Sequence, residues 1–292
     1  MRPPETLGVP KVFEVPVADG VRLTIRSWPT NAEGSGQGAS PVLLVHGLAS
    51  NARTWDEVAQ DLAGRGRAVA SVDLRGHGQS DKPGAGYSFA TFCSDLVEVL
   101  DALAWPRAVV AGQSTGGNIA LEFAVRHSDR LAGVIGVDGG LLELVDRWPV
   151  WEDCARELAP PRLEGTPAAE VEGWLRQAHP DWSAKAIAAS MANFEIRPDA
   201  TVLAWLDFEH HMTILRALWE HRPSALMEYL AVPATFALAD TGDAWADTKR
   251  AEAARAQALN PSLTIRWFSP GDHDLHVSQP HAVADLIDAL GR

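Results

Sequence analysis

The sequence predicts an α/β protein whose core is a doubly wound, mostly parallel sheet of eight strands. Three observations predict this class. Short apolar runs alternate along the chain with amphipathic stretches of helical period. Several of those runs end in glycine-rich or polar turns, as buried parallel strands do. The chain starts differently, with residues 12–17 and 21–28 flanking the turn Ala18-Asp19-Gly20, which predicts an antiparallel pair.

The predicted elements then follow in order. The further strands are expected at 42–45, 68–72, 108–111, 131–137, 235–238 and 263–268. The helices are expected at 54–62, 89–103, 118–127, 247–259 and 281–290. Residues 33–40 are rich in glycine and serine and predict a flexible connection between early strands. Successive strand–helix–strand units build one parallel sheet, and its ligands bind beyond the carboxyl ends of the strands.

A long interruption separates residue 137 from residue 235. It holds six of the eleven tryptophans and contains prolines such as Pro160-Pro161, which predict broken helices rather than strands. We expect 141–230 to form a helical lid over the strand ends, with 1–140 and 231–292 forming the core. Most aromatic side chains of this lid should pack between helices, and a few should line a substrate cavity.

Composition narrows the class of partner. The chain has 292 residues and a hydrophobic content of 46%. Its net charge of −13 argues against nucleic acid and anionic membranes as partners. No apolar run reaches the ~20 residues of a membrane helix, and residues 1–5 lack the apolar core of a signal peptide. Cys93 and Cys154 stand far apart and suit buried thiols in a reducing compartment. A cytoplasmic protein is therefore expected.

The most informative stretch is Gly112-Gln113-Ser114-Thr115-Gly116. An apolar run precedes it and a helical run follows it, which predicts a strand, a sharp turn with serine at its apex, and a helix. Glycine is required two residues either side of the serine because neighbouring backbone passes too close for a Cβ atom. The motif alone is common by chance, so the surrounding strand and helix carry the prediction. Ser114 is the predicted nucleophile.

Four motifs together resemble those of the α/β-hydrolase superfamily. In chain order they are His46-Gly47, the run Asp73-x-Arg75-Gly76-His77-Gly78-x-Ser80, the Ser114 turn, and Gly271-Asp272-His273. The resemblance covers almost the whole chain and is greatest to lidded esterases, epoxide hydrolases, haloalkane dehalogenases and carbon–carbon bond hydrolases. Epoxide hydrolases and haloalkane dehalogenases carry aspartate at the turn, whereas serine favours acyl transfer through an acyl-enzyme.

The resemblance also implies the partners of the serine. His273 follows the last strand and is the implied base, while His276, three residues on, competes with it. The acid should lie between nucleophile and histidine in the chain. We favour Asp243, which follows the strand 235–238 and a glycine turn. Asp240 and Asp138 stay open as alternatives.

The remaining expectations concern the oxyanion hole and the pocket. The backbone N–H groups of Leu48 and Thr115 are the expected oxyanion donors. Trp55 and His276 are candidates for the substrate pocket. No zinc-like spacing of Cys and His occurs, and neither a metal nor an organic cofactor is expected.

The predicted function is a serine hydrolase of carboxylic esters, thioesters or lactones with a small, apolar acyl substrate. Two alternatives stay open. One is a carbon–carbon bond hydrolase of diketone-like substrates, which uses the same triad. The other is a ligand-binding receptor on a hydrolase scaffold, although such a receptor would more readily have lost a member of the triad.

Overall fold

A computed structural model describes residues 8–28 and 39–291 of the chain. Residues 1–5, and most of the connection predicted at 33–40, lie outside these ranges. The first part of the described chain contains β1 (Lys11–Pro16), β2 (Arg22–Trp28), β3 (Val42–Val45), α1 (Asp56–Gly64), β4 (Val69–Val72), α2 (Phe89–Ala102), β5 (Ala108–Gln113), α3 (Thr115–Arg126) and β6 (Leu131–Val137).

The chain between the sixth strand and the return to the sheet contains α4 (Leu144–Arg147), α5 (Trp151–Leu158), α6 (Ala168–Ala178), α7 (Ala184–Met191), β7 (Phe194–Ile196), β8 (Val202–Ala204) and α8 (Phe208–Glu220). The last part contains β9 (Ala234–Ala239), α9 (Ala244–Leu259), β10 (Thr264–Phe268), α10 (Leu275–Ser278) and α11 (Pro280–Leu290). Short 3₁₀ segments occupy Ala18–Gly20, Ala52–Trp55, Ser128–Arg130 and Pro223–Tyr229.

Eight strands of the described chain form one sheet in the order β1-β2-β4-β3-β5-β6-β9-β10. The pairs β1–β2 and β2–β4 are antiparallel, and the other neighbouring pairs are parallel. The predicted fold class is confirmed, including its antiparallel start. Each predicted strand and helix is present, with ends that differ by up to three residues from the expected ones. The parallel strands all point their carboxyl ends at one edge of the sheet.

The central strands are apolar throughout because both of their faces are covered. In β3, Leu43 and Val45 belong to a core cluster on one side of the sheet, whereas Val42 and Leu44 belong to the cluster on the other side. All four are fully buried. Burying a side chain of this size is worth about 1.5–3 kcal/mol, so the middle of the sheet is strongly stabilised. It offers a rigid platform for the loops at the carboxyl edge.

The sequence predicts broken helices between β6 and β9, and the structure has five α-helices there. It also has an antiparallel pair of strands that the sequence did not predict. This pair joins β7 to β8, and each strand has three residues. Strands this short leave too little alternation to be detected. The division into a core of 1–140 and 231–292 and a lid of 141–230 stays a prediction, although side chains of this insertion line the cavities described below.

Candidate active site

Ser114 stands at a sharp turn between β5 and α3. Its backbone has φ 52° and ψ −123°, a left-handed φ that a non-glycine residue adopts only when the surrounding structure enforces it. A Cβ atom on Gly112 would overlap the carbonyl oxygen of Gly116. One on Gly116 would lie 2.5 Å from the carbonyl oxygens of Val45 and His46. The two glycines of the motif are therefore required by close backbone packing.

The structure pairs His273 with Asp138. The Nδ1 atom of His273 lies 2.7 Å from Oδ2 of Asp138, a hydrogen bond between the loop after β10 and the residue that follows β6. This corrects the preference for Asp243 as the partner of the histidine. Asp138 was an open alternative in the sequence, where Gly139-Gly140 beside it also suited a simple turn.

Asp243 and Asp240 have other partners, which explains why neither reaches the histidine. Asp243 is the N-cap of α9, and its Oδ1 accepts the backbone N–H groups of Trp245 and Ala246 at 3.0 and 3.2 Å. Asp240 forms an ion pair with Arg250 at 2.8 Å. Asp243 thus caps the first turn of α9, and Asp240 pairs with an arginine of the same helix.

The carboxylate of Asp138 is saturated with donors. Its side chain is 0% exposed. Oδ1 accepts the backbone N–H of Ala239 at 2.9 Å, and Oδ2 accepts the Nζ of Lys249 at 2.7 Å in addition to the ring of His273. Burial raises the pKa of Asp138, but the hydrogen bonds and charges of His273 and Lys249 lower it, and the net shift is downward. Asp138 is therefore held as a carboxylate.

Opposing effects act on the pKa of His273. Desolvation lowers the pKa of His273, the hydrogen bond to Asp138 and the charge of Asp274 raise it, and Lys249 lowers it; the net shift is upward. Because Nδ1 donates to the carboxylate, Nε2 is the nitrogen that can accept a proton. His273 and Ser114 line the same two cavities.

The two expected oxyanion donors lie at this edge of the sheet as well. Thr115 is the first residue of α3, so its backbone N–H has no partner within the helix. Leu48 follows β3 in a loop that His46 holds. The backbone N–H of Leu74 donates to Nε2 of His46 at 3.0 Å, so Nδ1 carries the proton and donates to the carbonyl of Gly47 at 2.7 Å. Both placements suit an oxyanion hole, whose role stays a prediction.

Two cavities of about 430 Å³ each meet at Leu48, Ser114 and His273. Leucine side chains form much of the wall of the first, which we call the leucine cavity: they include Leu141, Leu142, Leu144, Leu158, Leu215 and Leu218. Aromatic and polar side chains dominate the second, which we call the aromatic cavity: they include Trp174, His179, Trp182, Asn193, Phe194 and Asp274. Both cavities take several of these residues from the insertion.

Trp55 and His276, the two pocket candidates, lie elsewhere. Neither lines the two cavities. Trp55 is 0% exposed and packs in the core against His276, whose ring centroid lies 4.5 Å away. His276 is 1% exposed, and burial lowers its pKa to about 3, so it stays neutral. The expectation that either residue contacts substrate is wrong, because the helical turns that carry them face the core.

Two further groups at this edge were missed by the sequence analysis. Lys249 stands between Thr248 and Arg250 on α9 and looks like part of a solvated helix face. His221, at the end of α8, donates from Nε2 to Glu122 at 3.2 Å and accepts from the amide of Asn118 at 3.0 Å. The oxygen of that amide accepts the backbone N–H of Gly140, so the insertion is tied to α3 and to the loop of the acid. No local pattern signals either group.

The part of the chain that the structure describes holds no group of three or more His, Cys, Asp or Glu side chains that could bind a metal ion. Its two cysteines are buried free thiols. Burial raises the pKa of Cys93 to about 12 and that of Cys154 to about 11, so both stay protonated and unreactive. Among the described residues, no helix is both long enough and apolar enough to span a membrane.

Comparison with known proteins agrees with this architecture. Residues 40–174 match the family model of the alpha/beta hydrolase fold. An uncharacterised protein of Mycobacterium tuberculosis is 39% identical over 104 residues, which are 35% of this chain and 30% of that relative's length.

Two solved structures match nearly the whole chain. E-2-(acetamidomethylene)succinate hydrolase superposes with a TM-score of 0.76 at 22% identity, covering 96% of this chain and 98% of its own. The thioesterase domain from the curacin biosynthetic pathway gives a TM-score of 0.74 at 21% identity, covering 96% and 99%. The family match over residues 40–174, the order of the sheet and the superpositions together show that the chain has the α/β-hydrolase fold.

Proposed function

We propose that the protein is a serine hydrolase of carboxylic esters, thioesters or lactones. Ser114 is the nucleophile, His273 the general base and Asp138 the acid that orients it. The observation that carries this proposal is the 2.7 Å hydrogen bond from His273 to the buried Asp138, on cavities that Ser114 also lines. A serine hydroxyl is a poor nucleophile without such a base, and a histidine held by a carboxylate is the usual solution.

Acylation follows from this arrangement. Nε2 of His273 takes the hydroxyl proton of Ser114 while Oγ bonds to the carbonyl carbon of the substrate. The carbonyl oxygen becomes an oxyanion and accepts the backbone N–H groups of Leu48 and Thr115. Asp138 stabilises the imidazolium and stays ionised. The imidazolium then gives its proton to the leaving alcohol or thiol, and the carbon–heteroatom bond breaks.

Deacylation repeats these steps with water. His273 removes a proton from water, whose oxygen attacks the ester of Ser114. The second oxyanion uses the same two backbone donors, and the proton returns to Oγ as the carboxylic acid forms. Neither half-reaction needs a group other than these five residues and water.

The walls of the cavities favour a bipartite substrate. The leucine cavity suits an aliphatic part, since burying apolar surface there is worth roughly 25 cal/mol per Å². The aromatic cavity suits the other part of the ester. The thioesterase domain among the similar structures supports acyl substrates by analogy of fold only.

The test uses p-nitrophenyl acetate, butyrate and octanoate together with a fluorophosphonate probe. We expect the wild type to hydrolyse at least one ester and to be labelled at Ser114. Ser114→Ala should lose roughly 10⁶ in kcat and all labelling, because the nucleophile is gone. Ser94→Ala, which removes an exposed hydroxyl from α2, is the matched control and should behave as wild type. Equal labelling of wild type and Ser114→Ala would refute the proposal, and turnover of a diketone but of no ester would favour carbon–carbon bond hydrolysis.

A further inference from the structure

Lys249 reaches the acid of the proposed triad from α9. Its Nζ lies 2.7 Å from Oδ2 of Asp138 and 3.1 Å from the carbonyl oxygen of Ala239. Oδ2 is the same oxygen that accepts Nδ1 of His273. The lysine side chain is 11% exposed and lines the leucine cavity close to the reacting groups. One carboxylate oxygen thus contacts both the ammonium group of Lys249 and the imidazole of the proposed base.

We propose that Lys249 is a positioning residue, which holds Asp138 ionised and oriented toward His273 and so keeps His273 neutral and able to act as base. The inference rests on the proposed function, because it concerns the base of the same site. Lys249 contacts neither the nucleophile nor the reacting carbonyl in this scheme, and it acts through Asp138.

The first reason is the charge of the resting site. The side chain of Asp138 is 0% exposed, and the imidazole beside it must be neutral to act as a base. A buried carboxylate that has only neutral partners is strongly unfavourable and would take up a proton. Lys249 provides the positive charge that keeps the carboxylate ionised. A carboxylate is required because its protonated form would no longer favour the tautomer with Nδ1–H.

The second reason is repulsion during the reaction. When His273 accepts the proton of Ser114, imidazolium and ammonium share one carboxylate oxygen. Like charges this close disfavour each other, so Lys249 lowers the affinity of His273 for protons while Asp138 raises it. Removing the lysine charge should therefore raise the pKa of His273, and the enzyme should lose its neutral base at a higher pH than the wild type does.

Other titratable groups face the same cluster and must be controlled. Asp274 adjoins His273 in the chain and raises its pKa. Asp243 caps the helix of Lys249, and its own pKa is lowered mainly by the hydrogen bond from Thr241, with a smaller contribution from the charge of Lys249. Glu252 lies one turn along α9 on the leucine cavity, and burial raises its pKa to about 7. Because Glu252 titrates in the same range as a histidine, Glu252→Gln is needed to assign the observed pH dependence.

The experiment measures the rate of fluorophosphonate labelling against pH. In this reaction the bond from Oγ of Ser114 to phosphorus forms, fluoride leaves and His273 takes the proton, so no natural substrate is needed. We expect Lys249→Met to move the midpoint of the acidic limb upward by roughly one pH unit. Lys249→Arg should restore the wild-type midpoint. Arg250→Met removes a charge from the neighbouring, half-exposed position and should leave the midpoint unchanged.

Each outcome decides the matter. A Lys249→Met protein that is slower at every pH but has the wild-type midpoint would overturn the inference, since a purely structural role predicts that result. An equal shift in Arg250→Met would do the same, because net charge alone would then explain it. If Lys249→Met does not fold, Lys249→Gln keeps a hydrogen-bond donor without the charge. Failure of both uncharged variants to fold would assign the charge to folding and also contradict the inference. Absence of labelling in the wild type would instead refute the proposed function.

Discussion

At the scale of single residues, Asp138 is the proposed acid because it contacts His273, whereas the other two candidate carboxylates are engaged at α9. Asp243 and Asp240 lie close to the usual place of the acid after β9, but one caps α9 and the other pairs with Arg250. The backbone of Asp138 leaves the extended conformation of β6, with φ 43°, and its side chain is buried beside His273. A left-handed, buried aspartate is costly to fold, and such costs are usual at functional sites.

We predict that Asp138→Asn loses roughly 10⁴ in kcat, because an amide in place of the carboxylate favours the wrong tautomer of His273. Asp243→Asn should stay within a few-fold of wild type, since asparagine caps a helix about as well as aspartate. The measurement is kcat for p-nitrophenyl butyrate, with circular dichroism to verify folding. A large loss in Asp243→Asn together with a small loss in Asp138→Asn would show instead that the acid is Asp243, in the loop after β9.

The sequence predicted Ser114 and His273, which line the same cavities, but as the partner of the histidine it preferred Asp243, whereas the structure pairs His273 with Asp138. Ser114 and His273 stand in local patterns that reflect backbone requirements, such as close packing at Gly116. The choice between Asp138 and Asp243 depends on how the loop of His273 crosses β9 toward β6. That crossing is a property of the tertiary structure and leaves no mark near either aspartate. Lys249 likewise has no local signal in the sequence, because its proposed role depends on a contact with Asp138, the residue that follows β6.

At the scale of elements, close backbone packing constrains the turn between β5 and α3. Helix α3 begins directly after Ser114 and passes over the ends of β3 and β5 with no room for side chains at the crossing. The sequence predicted this element well, because strand, glycines and helix are adjacent in the chain. It predicted the β7–β8 hairpin poorly, because its strands are held by neighbours in the insertion rather than by their own pattern.

We predict that Gly116→Ala destabilises the protein by about 3 kcal/mol or more, because the new methyl group would meet two backbone carbonyl oxygens that cannot move independently. The control is Gly173→Ala in the middle of α6, where nothing lies within 4 Å of the added methyl group. That change should be neutral or stabilise by about 0.5–1 kcal/mol. Urea unfolding measures both, and equal stability of the two variants would contradict the close packing described here.

At the scale of the whole molecule, the sheet and the insertion contribute different parts of the candidate site. The carboxyl edge of the sheet holds the proposed reacting groups, and the insertion contributes walls to both cavities. In the proposed hydrolase, the chemistry and the selectivity for substrate would therefore belong to different parts of the chain. His221 ties the two parts together through Asn118 and Glu122.

We predict that Leu142→Trp, which narrows the leucine cavity, lowers kcat/KM for p-nitrophenyl octanoate by roughly tenfold and leaves the acetate within twofold. Leu142 is half-buried and lines that cavity. The larger tryptophan ring should therefore occupy the space of the acyl chain and disturb the packing of the core little. Leu259→Trp makes the same chemical change at an exposed position and should alter neither rate. Parallel losses for both esters would mean that the aliphatic part binds elsewhere.

The hydrogen bond between His273 and Asp138 also bears on how such a protein can diversify. The proposed nucleophile, Ser114, and the proposed acid, Asp138, flank one continuous unit, α3–β6, and the insertion begins only after that unit is complete. The insertion can therefore be lengthened, shortened or exchanged during evolution without a change in the spacing of those two groups. Only the histidine must be supplied from beyond it, by β10, whose place in the sheet is set by its pairing with β9. New substrates can thus be acquired in one segment while the chemistry is inherited intact in another.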